Sequence, residues 1–388
     1  MSFKKVLSLV VAVALLGGCG ASSSNAASSN VGASVDEGSV VENVKDEAET
    51  VVITDHAGRT VEVKTNPESV VVLDILPLAS VLTVYLDGAQ SIAAMQPASM
   101  NAAKNGILSE LYPEVLNART DILNGDAVNV EALLEIAPDV VFYNAGNSSE
   151  AQVLENAGLT AVGVSPTKFG YDCIVTYNEW ISLLNQIYPE RAFVIGDTVN
   201  EYAQRIYDEI QEKTAGIDEK TKVLFLFQYD ENTMITSGSS FFGQWWCDAT
   251  GAKNVAEDVK ADNSNAVITM EQVYEWDPEV IIITNFTKTQ PQDLFDNAIG
   301  NDDWSTVKAV MDGRVYKMPL GTYRTYTPGV DTPMTLEWLA QAVYPEIFAD
   351  YDVKADVREY YQTLYGIDLT DAQIDAMYSP NKEAGSLR

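Results

Sequence analysis

"NVEALLEIAPDVVFYN", residues 129–144, is echoed by "TMEQVYEWDPEVIIITN" at residues 269–285. Glu131 aligns with Glu271, Glu135 with Glu275, Pro138 with Pro278 and Val140 with Val280, while Asp139 meets Glu279. Each copy reads as a short helix, a proline-marked turn and a strand, because proline ends helical pairing and the β-branched run after it suits a pleated, buried setting. An unbroken apolar run, rather than alternation, is what a parallel strand covered by helices on both faces requires. The unit is half of an α/β layer, and its duplication predicts two α/β lobes of related design. The separation of the copies is far beyond the roughly 20–50 residues of a solenoid repeat.

Composition agrees. The chain has 388 residues, 46% of them hydrophobic and 9% aromatic, enough to build more than one small core. It carries 24 Lys and Arg against 56 Asp and Glu, a net charge of −32. Such a surface repels phosphate backbones and offers no basic patch to replace released counterions, which argues against nucleic acid as a partner. A soluble acidic surface is the preferred reading of the charge, ahead of attraction for a cationic ligand.

The first residues read as a targeting segment, not as part of the fold. Lys4 and Lys5 precede an apolar stretch from Val6 to Leu16, then Gly17, Gly18 and Cys19. This is the basic, apolar and small-residue order of a secretory signal, with an apolar stretch too short to span a bilayer. "LLGGC" resembles a bacterial lipobox, which makes residues 1–19 a lipoprotein signal and Cys19 the lipidated first residue. An ordinary signal with an accidental cysteine is the alternative. Residues 20–49, poor in aromatics and rich in Ser, Val, Glu and Asp, read as a flexible tether. The expected location is extracytoplasmic, lipid-anchored to the bacterial cell membrane. Only Cys173 and Cys247 remain, in different expected lobes and without metal-site spacing, so free thiols are preferred over a bridge that would hinder lobe motion.

Residues 50–188 form the expected N-terminal α/β lobe. It opens with a hairpin in "VVITDHAGRTVEV" and continues through strands in "SVVVL" (69–73), "SIAAM" (91–95), "DVVFYN" (139–144) and "TAVGV" (160–164). Residues 189–216 read as a linking helix, with Pro189 at its start, Gly216 past its end and Val199, Tyr202, Ala203, Ile206 and Ile210 on one face. A rod of about 37 Å permits only modest opening of the lobes it joins. Residues 217–388 form the C-terminal α/β lobe with a helical tail, its strands in "KVLFLFQY", "EVIIITN" and "RVYKMPL".

In this order, "TDHAGRTVEVKTNPESVVVL", "NVEALLEIAPDVVFYN", "GSSFFGQWWCDATGAKNVAED", "MEQVYEWDPEVIIITN", "DDWSTVKAVMDGRVYKMP" and "TPMTLEWLAQAVYPEIF" resemble the substrate-binding lipoproteins of ABC importers for iron–siderophore, haem and corrinoid compounds. The resemblance runs from about residue 51 to 348. It implies two Rossmann-like lobes joined by one long α-helix, with a ligand cleft between them. It also implies capture of a small-molecule metal chelate, iron–siderophore first and corrinoid or haem as alternatives, and delivery to an ABC permease and its ATPase. The protein is expected to be a monomer without a cofactor, and the resemblance places permease docking at Glu114 and Asp248, with Glu110 and Glu257 as rivals.

Ligands in open α/β sheets bind beyond the carboxyl ends of the strands, which selects the residues following each strand. In the first lobe these are Met95, Gln96 and Asn144, with Leu76, Asn147, Lys168 and Phe169 nearby. In the second they are Tyr229, Phe241, Trp245, Asn285, Tyr323, Arg324 and Tyr326, with Gln228 and Phe242. "GTYRTY" at 321–326 points most directly at a ligand, since Arg324 can hold a carboxylate, phosphate or catecholate while tyrosine rings cover a flat molecule. A structural arginine paired with one of the many acids is the competing reading. Phe242 and Trp246 share a helix face that reads as core, Met95 reads equally as packing, and Asn144 and Asn285 equally as turn caps. His56 is the single histidine and sits in the expected hairpin turn, so neither a Ser/His nor a Cys/His nucleophile system nor a histidine metal site is in view. No catalytic residue and no metal ligand is assigned. A hydrolase and a surface adhesin stand as distant alternatives.

Overall fold

The duplicated unit folds as the same small device in both places. In the computed structural model, which describes residues 49–387, helix Val130–Ile136 is capped by Asn129, whose Oδ1 accepts the Ala132 N–H at 3.3 Å. The helix ends on Ala137 in the left-handed region (φ 51), Pro138 follows, and strand Val140–Asn144 begins. In the second copy Thr269 and Gln272 form a capping box for helix Met270–Trp276. Asp277 (φ 43) and Pro278 then lead into strand Val280–Ile283. The acid after each proline pins the neighbouring strand. Asp139 accepts the N–H groups of Glu68 (2.8 Å) and Ser69 (3.0 Å) just before Val70–Val72, and Glu279 accepts the Lys222 N–H (3.1 Å) at the start of Lys222–Tyr229. In both lobes the pinned strand lies parallel to the repeat's own strand.

The signal segment, Cys19 and the tether up to residue 48 lie outside the described residues. The described residues belong to one compact unit, Ala48–Arg388. Its first sheet has the order Ile92–Met95, Val70–Val72, Val140–Asn144, Ala161–Val164, all parallel. Hairpin Thr50–Thr54/Thr60–Lys64 flanks it. The second sheet has the order Met234–Thr236, Lys222–Tyr229, Val280–Ile283, Val315–Lys317, parallel except for its antiparallel edge Met234–Thr236, and the short strand Lys253–Asn254 joins Lys222–Tyr229 at its start.

Strand alternation divides each sheet between two cores. Val70 and Val72 in the first sheet, and Val280 and Ile282 in the second, join one continuous core with Trp180, Ile206, Leu336 and Tyr360. Val71 and Val141 face a separate cluster of the first lobe, and Ile281 and Ile283 one of the second. The lobes therefore share buried apolar surface, which resists wide separation.

The linking helix spans Ala192–Thr214 and packs between helices Cys173–Ile187 and Thr332–Val343. Ala203, Ile206 and Ile210 are buried on its core face and Tyr202 is partly buried; the Val199 side chain lies outside what is described. The lobes also meet backbone to backbone. The Ile107 N–H donates to Gly321 O at 3.3 Å, and a Cβ on Gly106 would stand 2.5 Å from that same oxygen, so only glycine fits. Cys173 and Cys247 are free and buried, with burial pushing both thiols well above their usual range. After helices Val353–Tyr365 and Asp371–Tyr378, the 3-10 turn Lys382–Gly385 returns to helix Pro97–Asn105 of the first lobe.

Candidate functional site

Residues that follow the strands of the two sheets meet one another. Tyr171, in the loop after Ala161–Val164, places its ring edge-on to Phe242 (5.4 Å) and Phe241 (6.1 Å) of the other lobe, and its hydroxyl donates to Asn263 Oδ1 at 3.0 Å. Behind Phe241 lies an aromatic cluster, with ring centroids 4.9 Å apart for Phe227–Phe241 and Phe227–Phe286 and 5.2 Å for Phe241–Tyr326. This second-lobe wall is built from packed rings, not open ones.

Arg324 sits at the centre of the opposite side, fully buried. Its Nε donates to Asn285 O (2.8 Å) and Ala384 O (3.1 Å), and Nη1 to Ala98 O of the first lobe (3.0 Å) and the Tyr323 hydroxyl (2.9 Å). Nη2 donates to Ala384 O (2.8 Å) and Ser386 O (3.0 Å). The rings of Phe286 and Tyr323 lie 5.1 and 5.3 Å from its Cζ. Its partners are carbonyl oxygens of both lobes and of residues 384 and 386, together with the Tyr323 hydroxyl, so the reading of an arginine paired with an acid is not what is found. Asn285 supports the arrangement from beneath, its Nδ2 donating to Met318 O (2.8 Å) and Pro319 O (2.9 Å), while its Oδ1 is buried without a partner. Lys317 is buried nearby and donates to Thr284, Thr287 and Thr289 carbonyls, each at 2.8 Å; burial pushes its amine down to about 7.

Several expected cleft residues face elsewhere. Strand Lys222–Tyr229 carries a bulge opposite Ile235/Thr236, where the register passes from Gln228 to Leu226 and leaves Phe227 unpaired. The extra residue reverses the alternation, so the Tyr229 ring joins Leu224 and Leu226 in the outer core. Its hydroxyl donates to Asp302 (2.8 Å) and accepts from Trp304 Nε1 (2.9 Å). Tyr326 is fully buried with its hydroxyl on Ser237 Oγ (2.9 Å), Met95 is 1% exposed in the shared core, and Trp245 packs edge-on against Trp246 at 4.8 Å. Tyr326, Met95 and Trp245 are taken up in packing, while Tyr229, 1% exposed, still borders the cavity described below. Asn144 caps its own loop, accepting the Gly146 N–H at 3.0 Å. His56 closes the hairpin turn, its Nδ1 accepting the Ser165 N–H at 3.1 Å, with burial lowering its pKa.

On the first lobe Gln96, at the start of helix Pro97–Asn105, donates its Nε2 to Asp74. Beside Asp74 lies Glu150, 8% exposed, with Oε2 accepting from Asn147 Nδ2 (3.2 Å) and Oε1 without a partner. Burial, and then the Asp74 charge, push Glu150 up to about 8. Asp74 directly follows the first-lobe strand "VVVL", and the same strand-end rule that selected Gln96 points to it.

A cavity of about 670 Å³ opens at the ends of Lys222–Tyr229 and Val280–Ile283. Gln228, Phe286, Thr287 and Lys288 line one wall, and Glu383, Gly385 and Leu387 of the tail line the other. Of the expected docking acids, Glu114 accepts the Ala89 N–H (3.2 Å) and Gln90 Nε2 (3.1 Å), while Asp248 is exposed on helix Phe242–Thr250.

A family model described as periplasmic binding protein matches residues 84–320. The molybdate-binding protein MolA of Haemophilus influenzae is 26% identical over 342 residues, covering 81% of this chain and 90% of that protein. Among solved structures, a periplasmic solute binding protein of Veillonella parvula superposes with a TM-score of 0.73 at 28% identity, covering 85% of this chain and 97% of its own. Helicobacter pylori CeuE with Ni(II) bound superposes at 0.67 with 21% identity, covering 84% and 99%.

Proposed function

The chain belongs to the periplasmic binding protein family, and from that premise we propose that it captures an anionic metal chelate, of the iron–siderophore type, between its two lobes. It is an extracytoplasmic substrate-binding component of an ABC importer and not an enzyme. Delivery of the chelate to the permease leaves it chemically unchanged.

The observation that carries the ligand class is Arg324. In a chain of net charge −32, an anion needs a local positive site, and the one arginine buried among the described residues lies where the strand ends of both lobes meet. Its planar fork suits catecholate, hydroxamate or carboxylate oxygens, which make charge-assisted bonds of about 1.5–3 kcal/mol. A metal oxyanion is the second reading, favoured by the likeness to a molybdate-binding relative along most of both chains. The cavity of about 670 Å³, lined by Phe286 and by Glu383, Gly385 and Leu387 of the tail and not by Arg324 itself, is the support for the larger chelate, since pockets of roughly 300–1,000 Å³ suit drug-sized ligands. Haem gripped by histidine has no support, because His56 is committed to its turn. A corrinoid held by ring contacts has little aromatic surface left to use. Anchoring at Cys19, a monomeric state, and docking through Glu114 and Asp248 complete the proposal.

Titration of the mature chain by tryptophan fluorescence against ferric catecholate and hydroxamate siderophores, molybdate, haemin and cobalamin tests it. A ferric siderophore is expected to saturate the protein, and Arg324→Ala to weaken that binding about tenfold to a hundredfold. Saturation by molybdate alone would transfer the site to the oxyanion reading, and saturation by neutral cobalamin alone would remove the anion argument.

A further inference from the structure

The last residues of the chain stand where a ligand of Arg324 would stand. Here Ala384 is fully buried and Gly385 buried beside it. From the first lobe, Asn101 Nδ2 donates to Glu383 O and Ser386 O, both at 2.8 Å. From the second, Arg324 takes Ala384 O and Ser386 O, and Lys288 pairs with the Glu383 carboxylate at 2.7 Å. Gly385 is pressed so closely on the Thr287 backbone that a Cβ there would overlap the Thr287 carbonyl.

The tail is held almost wholly through oxygen acceptors. Three main-chain carbonyls and one carboxylate answer donors from both lobes, and its apolar contribution is little more than Ala384 and the partly buried Leu387. A buried guanidinium without acceptors is costly, so something must satisfy Arg324 whenever the lobes are closed. We propose that residues 380–387 are a tethered stand-in for the ligand: they occupy the donor cluster Arg324–Asn101–Lys288 in the empty protein and leave when a molecule presenting the same set of oxygen acceptors arrives. This rests on the reading of Arg324 as the ligand's anchor, and it narrows the ligand to one with at least three oxygens spread over the span of Glu383, Ala384 and Ser386. Because the tail competes intramolecularly, the apparent dissociation constant equals the intrinsic one divided by the fraction of tail-free protein. Removing the tail's grip therefore tightens ligand binding.

Full mature chain, wild type and Gly385→Ala, is compared by hydrogen exchange with mass-spectrometric readout, with Asn101→Ala as a second variant that leaves the second-lobe backbone untouched. Wild type is expected to protect peptides covering residues 383–387, and both variants to lose that protection while the two sheets keep theirs. A synthetic peptide of residues 380–388, fluorescently labelled, is expected to bind Gly385→Ala at least tenfold tighter than wild type. The ferric siderophore identified by titration is expected to displace it and to release the wild-type tail. Tail exchange at the unprotected rate in wild type overturns the proposal. So does a peptide that binds neither protein, or a tail that stays protected with bound ligand. If no metal chelate or oxyanion binds any form, the capture reading fails by itself, and the exchange and peptide results still decide the tail.

Discussion

Arg324→Ala removes a guanidinium that ties together two lobes and the chain terminus. Ala384 O and Ser386 O, at 2.8 and 3.0 Å, regain water when the tail swings out, so their loss costs little. Asn285 O (2.8 Å) and Ala98 O (3.0 Å) stay buried. A stranded buried acceptor costs about 1–3 kcal/mol; Ala98 lies in the first turn of helix Pro97–Asn105, whose carbonyls also serve the helical ladder, and belongs at the low end. The expected loss is about 2–4 kcal/mol. At about 2 °C per kcal/mol for a chain of this size, the melting temperature should fall by about 4–8 °C. Arg324→Lys should recover part of the loss, since an ammonium satisfies acceptors but cannot present a planar fork. Circular-dichroism melts of the mature chain, without ligand, measure this. A melting temperature within about 1 °C of wild type, with the tail still protected from exchange, would refute the idea that this arginine is satisfied by the carbonyls it meets.

Three further outcomes follow from particular contacts. Asp139→Ala should destabilise the protein by about 1.5–3 kcal/mol, because a carboxylate that accepts two backbone N–H groups is lost, and Glu279→Ala by less, because its carboxylate accepts one; urea melts compare the two copies of the repeat. Glu150 titrates near 8 in the fold, above its unfolded value near 4.3, so the stability it contributes is complete below that unfolded value and is lost as pH rises through about 8. Glu150→Gln should flatten that decline and exceed wild type above pH 8, and melts across that range would expose the reverse. Reversing the charges of Glu114 and Asp248 together should abolish uptake into cells at unchanged ligand affinity; weakened affinity would remove both from the docking surface.

Much of the architecture was legible because it is written in period and punctuation. The repeated helix, proline and apolar run specify a helix, a left-handed residue and a parallel strand in each lobe, and the 3.6-residue period at Ala203, Ile206 and Ile210 marks the linking helix. The cleft was less legible. Strand-end reasoning selected Gln96, Arg324 and Tyr229, but the bulge at Phe227 that turns the Tyr229 ring into the outer core is announced by no pattern in "KVLFLFQY". Tyr326 and Phe241 were assigned to the opening because they are aromatic and follow a strand or precede a helix; the structure spends them on one another and on Phe227. Glu150 escaped notice because its altered acidity comes first from burial and then from Asp74, far away in sequence. The tail left no trace at all, since it is recognised through main-chain carbonyls that every residue possesses.

The most direct test of anion capture between the lobes is the native mass and visible spectrum of the protein isolated, without stripping, from the cells that make it. One small metal-bearing molecule per chain, with the charge-transfer absorption of a ferric catecholate or hydroxamate, is the predicted result for wild type, and its loss is predicted for Arg324→Ala. A bound neutral molecule without metal, or a metal chelate retained undiminished by Arg324→Ala, would contradict it.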